Sequence, residues 1–396
     1  MAQISPEDEL DQELIADYRD SFVDHYEIII NCIATLELTP DNDASIDELF
    51  RSLHSIKGNA RMLMFEQLAF YIHAIEEGLS ALREHKIQFT ELMGEAITLS
   101  LDKAKEFSED FLTRSITENP SMNVIQEIFT QLHSASQDDV DSLCAKIVKE
   151  ITGFEIDLTA ICNQSEVDSI LIDINDSTKQ NKAPETFLFH TEMAHEMFHY
   201  ISEDTPDNLK EHLGYMRYLA LLLEAKIPHW QGRIFLANDL LLRFNKALDY
   251  KIANHQLEMA VYAHDIAFAF LPDNLMKTRE KFTPEEHKLM QTHAQMGADF
   301  IGINNKWQIA HEIVLQHHEK SNGNGYPGGL KEEQICLGAK MLSIVDAFIA
   351  MTAYRPDRAY KRSVLTALNE IKNQAGKQFS AELVPVFLNM LVKSLK

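Results

Sequence analysis

One histidine of this sequence stands among the residue types that phosphoryl chemistry requires. His54 lies in the run Leu53-His54-Ser55-Ile56-Lys57-Gly58-Asn59-Ala60, and apolar residues recur around it at helical spacing. The pattern predicts one amphipathic helix with His54 on its solvent side. Lys57 lies one turn away, where it could screen a dianionic phosphoryl group on the imidazole. A glycine inside a helix costs about 1 kcal/mol relative to alanine, so Gly58 indicates that a partner approaches closely. The pattern favours phosphorylation of His54.

The helix around His54 resembles a known family. Residues 49–60 are similar to the signature helix of histidine phosphotransfer (HPt) domains, and residues 68–82 are similar to the helix that follows it in that family. The resemblance covers roughly the first quarter of the chain, and it implies a four-helix bundle. HPt domains have no kinase activity of their own. The resemblance therefore implies that His54 exchanges a phosphoryl group with an aspartate on a receiver domain, carried by a response regulator or a hybrid histidine kinase.

A second group of chemically active residues is scattered over the C-terminal half. Imidazole and carboxylate side chains together suit iron, manganese or zinc, and a water bound to such a metal becomes a nucleophile near neutral pH. Because these residues lie in or at the ends of predicted helices, they imply a preformed site within a helical core. They are His264, Asp265, His293, His317, His318 and Asp346.

These residues resemble the HD superfamily of metal-dependent phosphohydrolases. Residues 317–330 resemble the signature loop of its HD-GYP members, which use a two- or three-metal centre to hydrolyse cyclic di-GMP. The resemblance implies that the six residues are ligands of iron or manganese. The sequence also leaves open the alternative that the chain binds no metal. It also implies that five residues contact the nucleotide, with guanidinium groups near its phosphates. These five are Gly325, Tyr326, Pro327, Arg355 and Arg358.

Several positions depart from the HD-GYP pattern. Phe268 stands where the family has a phosphate-binding lysine, and Trp230 stands where it has its first histidine ligand. Lys226 occupies the position of a glutamate one turn earlier, and Asn322 replaces an acidic residue before the GYP glycines. Losing one ligand and nearby charge weakens at least one metal position. These departures predict a degenerate site.

Two other histidines could replace the missing imidazole. His229 adjoins Trp230 but points about 100° away on a helix, and His212 with Glu211 would serve only if an insertion followed them.

Three functions stay open for the C-terminal half. The sequence favours a degenerate output or docking module of a phosphorelay over an active cyclic di-GMP phosphodiesterase regulated through His54. The third is a protein that binds cyclic di-GMP without hydrolysing it.

A further motif has the spacing of a zinc protease. His195-Glu196-Met197-Phe198-His199 spells H-E-x-x-H, which on a helix places two imidazoles on one face with a glutamate between them. The chain has 17 histidines, so a pattern this short arises easily by chance. No third ligand signature follows it, and a protease site is set aside.

Composition excludes several classes of function. The formal net charge of −25 would be repelled by nucleic acid and by anionic membranes. No apolar run approaches the roughly 20 residues that cross a bilayer, and no signal peptide is recognisable at the N-terminus, so a cytoplasmic location is expected. The four cysteines are scattered without a C-x-x-C pair, which is typical of reduced thiols.

Helical periodicity dominates the chain and strand-like alternation is nearly absent, so the fold is predicted to be all-α. The HPt resemblance implies a four-helix bundle for the N-terminal part, and the C-terminal part should form a separate helical domain. A polar segment at 176–184 is expected to be a linker. The predicted divisions are an HPt-like domain at 1–117, a helical connector and linker at 118–186, and an HD-GYP-like domain at 187–396.

Overall fold

The computed structural model describes residues 12–114, 116–153, 202, 205–227, 230, 232–272, 275, 282–302, 306–352 and 363–394. Within these ranges there is no strand, so the all-α prediction is confirmed. Contacts divide the chain into two compact units, Met1–Cys162 and Asn163–Lys396. None of the helices in the described ranges has the length and apolar character that crossing a membrane requires.

The first unit is built on a four-helix bundle, as the sequence predicts. Leu49, Leu53 and Ile56 are fully buried on one face of the second helix, and Asn42 caps that helix by accepting a hydrogen bond from the backbone N–H of Ser45 at 2.9 Å. The bundle helices are α1 (Gln12–Leu38), α2 (Asp43–Met62), α3 (Glu66–Gly78) and, after the single turn α4 (Ser80–Arg83), α5 (Glu91–Arg114).

Two additional helices complete this unit. α6 (Pro120–Leu132) packs against α3, and α7 (Gln137–Thr152) packs against α5. Each buries an apolar face, which includes Phe129 of α6 and Ile147 of α7. The sequence assigned residues 118–186 to a connector, whereas the part of that stretch up to residue 153 packs on the bundle because both helices are amphipathic. The linker at 176–184 and the H-E-x-x-H motif at 195–199 lie outside the described residues.

The second unit surrounds one central helix. This helix is α10 (Asn254–Ala263), and all of its residues from Gln256 onward are buried. It contacts α8 (Asp207–Lys226), α9 (Arg233–Ala247) and α12 (Gln308–Gln316). The pair His264-Asp265 follows directly, and a short 3-10 helix (Ile266–Phe270) comes next. The other described helices of this unit are α11 (Pro284–Ile301), α13 (Leu337–Thr352), α14 (Val364–Asn373) and α15 (Leu383–Ser394).

Candidate functional site

His54 lies on the solvent face of α2, where 70% of its side chain is exposed. The exposure predicted from the helical pattern is therefore confirmed. A Cβ atom built on Gly58 would meet nothing within 4 Å, so the surface one turn from the imidazole is open. A second protein could reach the ring along this face.

Glu76 of α3 orients the imidazole of His54. Its Oε1 is 3.1 Å from His54 Nδ1, and its Oε2 accepts a hydrogen bond from the Lys57 ammonium group. Burial raises the pKa of Glu76, but the hydrogen bonds from Lys57 and His54 outweigh it and hold that pKa below its ordinary value. An ionised carboxylate can only accept, so Nδ1 carries the proton of a neutral ring. The Nε2 lone pair of His54 is then left to act as a nucleophile.

Lys57 supports His54 in a different way from the sequence expectation. The pattern placed its ammonium group beside the imidazole as a screen for phosphate, but only 10% of the side chain is exposed and its partner is Glu76. Lys57 therefore acts on the imidazole through Glu76. Sequence reasoning did not assign Glu76 a role. The available signal was Lys57 itself, because a buried ammonium group requires an anion on a facing helix.

Two guanidinium groups lie close to His54. Arg83 pairs with Asp47 at 3.1 Å and lies over the ring of Phe50, and Arg51 pairs with Glu48 at 2.5 Å. A shallow cavity of about 240 Å³ is lined by both arginines together with Asp47, Phe50, His54 and Glu76. Both guanidinium groups near the imidazole are therefore already paired with a carboxylate.

The six candidate metal ligands of the second unit come together at one site. They form two groups, and within each group the ligand atoms lie within 4.8 Å of one another. The HD pair is supplied by the end of α10, while the other residues come from α11, the end of α12 and α13. The first group is His293, His317 and His318, and the second is His264, Asp265 and Asp346.

Three of the imidazoles are held in the orientation that metal ligands adopt. The Nδ1 atoms of His264, His293 and His317 lie 2.6 to 2.7 Å from backbone carbonyl oxygens three residues earlier. A carbonyl only accepts, so each Nδ1 carries a proton, and the neutral rings of His293 and His317 each present an Nε2 lone pair. Burial lowers the pKa of His264, but Asp265 outweighs it and holds that pKa above its ordinary value. The Nε2 atoms of His293 and His317 are 3.4 Å apart. Two facing lone pairs repel each other unless a cation or proton lies between them.

Burial keeps the first group neutral. Removal from water lowers the pKa of His317 to about 3, and it lowers the pKa values of His293 and His318 in the same direction. Neutral imidazole is the form that binds a metal ion. The donor set therefore fits a metal at His293, His317 and His318.

Arg233 lies among the ligands of the second group. Its Nη2 is 3.1 Å from Asp265 Oδ2 and also forms an ion pair with Asp346. Burial opposes the ionisation of Asp346, but Arg233 outweighs it and holds the pKa of that carboxyl below its ordinary value. Asp265 also faces His264 Nε2, at 3.3 Å. Sequence reasoning assigned Arg233 no role.

Aromatic rings occupy the two positions where the sequence departs most from the HD-GYP pattern. The rings of Trp230 and Phe268 meet edge to face at 5.6 Å, and Phe268 stacks on His293 at 4.5 Å. The Arg233 guanidinium lies over Trp230, 4.5 Å from its ring centroid. Leu223 is buried in the same cluster. One wall of the site is therefore apolar.

Of the proposed replacements for the missing ligand, the two that the structure describes do not reach the site. His212 and Glu211 are exposed on α8 and belong to neither ligand group, and His229 lies outside the described residues. Lys226 is exposed as well. The buried carboxylate at this end of α8 is Glu224, whose Oε1 accepts a hydrogen bond from the backbone N–H of Arg233 at 2.7 Å.

The loop predicted to cover the ligand is held by Glu319. This side chain is buried, and it accepts hydrogen bonds from the backbone N–H groups of Gly328 at 2.6 Å and Leu330 at 2.8 Å. A Cβ atom on Gly325 would come within 2.4 Å of the Glu319 backbone, so only glycine fits there. Glu319 was missed as a site residue, although it directly follows the two histidines in the sequence.

The remaining loop residues are placed as follows. Tyr326 stacks on His318 with ring centroids 4.8 Å apart, and a cis peptide bond joins Tyr326 to Pro327. Asn322 is exposed and accepts a hydrogen bond from the backbone N–H of Asn324 within its own loop. Arg355 and Arg358 lie outside the described residues.

Family models match both parts of the chain. The model described as Hpt domain matches residues 13–107, and the model described as HD domain matches residues 217–383. The chain contains an Hpt domain and an HD domain. The resemblances that the sequence carries at His54 and at His264-Asp265 are thereby confirmed.

Curated relatives match about a third of the chain. A cyclic di-GMP phosphodiesterase of Thermotoga maritima is 34% identical over 137 residues, which cover 34% of this chain and 37% of the relative. A cyclic di-GMP phosphodiesterase response regulator of Xanthomonas campestris pv. campestris is 33% identical, over 33% of this chain and 35% of its own length. A 3'3'-cGAMP-specific phosphodiesterase of Vibrio cholerae is 30% identical, over 35% of this chain and 27% of the relative. The matches thus span between 27% and 37% of the length of these relatives.

One solved structure is similar over most of the chain. It is Bd1817, described as an HDG"Y"P protein, from Bdellovibrio bacteriovorus. The alignment covers 77% of this chain and 82% of that structure, with 13% identity and a TM-score of 0.35.

Proposed function

We propose that this protein is a component of a bacterial phosphorelay. In this proposal the Hpt domain accepts a phosphoryl group on His54 from a receiver aspartate and donates it to another, while the HD domain is a degenerate output or docking module. The observation that carries the proposal is the exposed imidazole of His54, fixed through Nδ1 by Glu76. That arrangement leaves Nε2 unprotonated and reachable by a second protein.

The residues around His54 support a balanced transfer step. The Nε2 lone pair attacks the phosphorus of an aspartyl phosphate, the N–P bond forms, and the P–O bond to the aspartate breaks to release its carboxylate. The ring becomes positively charged as the bond forms, and the ionised Glu76 stabilises that charge through Nδ1–H. Lys57 keeps Glu76 ionised by pairing with its other oxygen. No proton has to leave the site during this step.

Three observations support a degenerate HD domain. Arg233 already pairs with two of the six candidate ligands, Asp265 and Asp346. Trp230 and Phe268 replace a ligand and a cation of the HD-GYP pattern with an apolar wall. The cavity beside these residues measures about 200 Å³, below the roughly 300–1,000 Å³ of typical small-molecule sites. Efficient turnover of a cyclic dinucleotide is therefore not expected.

A second candidate function is metal-dependent hydrolysis of a cyclic dinucleotide such as cyclic di-GMP. The convergence of the Nε2 atoms of His293 and His317 favours it, as do the relatives named as phosphodiesterases. Bound iron or manganese would supply Lewis-acid polarisation and an activated water. His293, His317 and His318 would hold the ion, with Tyr326 lying against His318.

Phosphoryl transfer to His54 tests the first proposal. Receiver domains phosphorylated with radiolabelled acetyl phosphate are mixed with the full chain and with its His54→Gln variant. We expect the full chain to gain acid-labile label from at least one receiver and His54→Gln to gain none. His73→Gln is the matched control, because His73 is also exposed and lies 3.7 Å from Glu76. Label that persists in His54→Gln would refute the assignment.

A product assay separates the two candidate functions. The full chain is loaded anaerobically with Fe²⁺ or Mn²⁺, incubated with cyclic di-GMP, and the linear product is measured. We expect no turnover above that of a His293→Ala, His317→Ala double variant. Turnover that this double variant abolishes would replace the degenerate assignment with the phosphodiesterase.

A further inference from the structure

The two ligand groups of the HD domain differ in how their charge is balanced. His293, His317 and His318 are three imidazoles whose ligand atoms converge, whereas Asp265 and Asp346 share one guanidinium group. We infer that the centre holds a single metal ion at the three imidazoles, and that Arg233 is the fixed cation of the Asp265–Asp346 pair in place of a second ion. This inference concerns metal content, and it is independent of phosphoryl transfer at His54.

The side chains of His293, His317 and His318 are arranged to bind a cation. Nδ1 of His293 and of His317 is tied to a backbone carbonyl, so Nε2 of each ring faces into the site as a lone pair. Those two Nε2 atoms are 3.4 Å apart, and the ring of His318 lies 4.1 Å from that of His317. Asp265 Oδ1 is 3.8 Å from His293 Nε2 and can complete the donor set with one negative charge. Imidazole nitrogen with one carboxylate is a ligand set that iron, manganese and zinc accept.

The carboxylates of Asp265 and Asp346 are already paired with a cation. Arg233 contacts Asp265 Oδ2 and Asp346 Oδ1, and an arginine side chain does not lose its proton in proteins. A divalent ion bound between the same two oxygens would lie within a few ångströms of the guanidinium, where like charges repel strongly in a site from which water is largely excluded. The second ion therefore has to displace Arg233 before it can bind.

Trp230 holds Arg233 in this position. Its ring lies 4.5 Å from the guanidinium carbon and is itself fixed by an edge-to-face contact with Phe268. Phe268 stacks in turn on His293. Only 15% of the Arg233 side chain is exposed, so the guanidinium has little room to move away. Trp230 thus positions the Arg233 guanidinium from a place in the chain where the HD-GYP resemblance implies a histidine.

Metal content of the full chain tests the inference. The protein and its variants are loaded with excess Mn²⁺ under anaerobic conditions, desalted, and analysed by elemental mass spectrometry and by electron paramagnetic resonance. We expect one Mn²⁺ per wild-type chain, with the spectrum of an isolated ion. Arg233→Met should take up a second ion and show the spectrum of a magnetically coupled pair. Arg243→Met, in the same helix but paired with Asp239 on the surface, should keep one ion.

Two further variants decide the question even if Arg233→Met does not fold. Asp346→Asn should retain one ion per chain, because Asp346 is not a ligand of that ion, while His317→Ala should retain none. Two ions in the wild-type chain, a loss of metal in Asp346→Asn, or a folded Arg233→Met variant that stays at one ion would each overturn the inference. So would a wild-type chain that binds no Mn²⁺ under these conditions.

Discussion

The contact network of Lys57, Glu76 and His54 makes a quantitative prediction for Glu76→Gln. The side chains of Lys57 and Glu76 are 10% and 18% exposed, so their ion pair is mostly buried. Exposed pairs contribute about 0–1 kcal/mol, and breaking a fully buried pair costs about 3–5 kcal/mol. We expect an intermediate loss of about 2 kcal/mol in the unfolding free energy of the first unit. For a unit of this size that lowers Tm by roughly 4–8 °C.

The same substitution should slow phosphoryl transfer. Glutamine can still accept a hydrogen bond from His54 Nδ1, but it no longer balances the charge that develops on the ring. Because 70% of the His54 side chain is exposed, we discount the full value of a charged hydrogen bond to about 1 kcal/mol, which is roughly a fivefold lower rate. Rates of label transfer from a phosphorylated receiver would measure this, with thermal unfolding measured on the same samples.

Two controls separate this network from a general effect of charge. Glu77→Gln removes an exposed carboxylate one residue along and should change neither Tm nor rate. Lys57→Met combined with Glu76→Gln should be less destabilising than the sum of the single substitutions, because each single variant leaves one partner unpaired. Additive losses, or a Glu76→Gln variant with unchanged Tm and transfer rate, would refute the role given to Glu76.

Three further predictions concern single residues. Burial raises the pKa of Glu224 from its ordinary value to about 7, so the folded state binds this proton more tightly than the unfolded state does. The unfolding free energy should therefore fall by about 3 kcal/mol as the pH rises from the ordinary pKa of a glutamate to about 7. Chemical denaturation at pH 4.5 and pH 7 should show that Glu224→Gln removes this dependence, and an unchanged slope would contradict it. Gly58→Ala should raise the unfolding free energy by about 1 kcal/mol, because the new Cβ meets nothing within 4 Å; a destabilised variant would show that the site is crowded. Glu319→Gln should lower the unfolding free energy of the HD domain by about 2 kcal/mol, because a carboxylate that accepts two backbone hydrogen bonds is lost. An unaltered melting curve would contradict this anchoring role.

The sequence was sufficient to predict the helical fold and the position of His54. Both follow from periodicity within one helix, since the apolar residues of α2 define its buried face and leave His54 on the other. The six candidate metal ligands could be named from their motifs. The structure brings them together because α10, α11, α12 and α13 pack around one point.

Contacts between helices could not be predicted in the same way. Glu76 reaches His54 and Lys57 only because α2 and α3 pack in one register, and nothing in the local sequence of α3 specifies that register. Arg233 and Asp346 are separated by 113 positions in the chain. Their ion pair depends on the packing of α9 against α13, which spacing along the sequence does not reveal.

The boundary of the first unit illustrates a related difficulty. Residues 120–152 lack a motif, so the sequence offered no reason to join them to the bundle. In the structure α6 and α7 bury apolar residues such as Ile125 and Val140 against α3 and α5. The pattern of an amphipathic helix predicts that one face is buried, but it does not predict which helix covers that face.

The central claim is that Nε2 of His54 carries the phosphoryl group. The most direct test is nuclear magnetic resonance of the ¹⁵N-histidine-labelled full chain after phosphorylation by a receiver domain, with the modified residue mapped by mass spectrometry. The account predicts phosphorus coupling to Nε2 of one histidine, mapped to His54, with Nδ1 still bearing its proton. Phosphorus on Nδ1, or on any histidine other than His54, would contradict it.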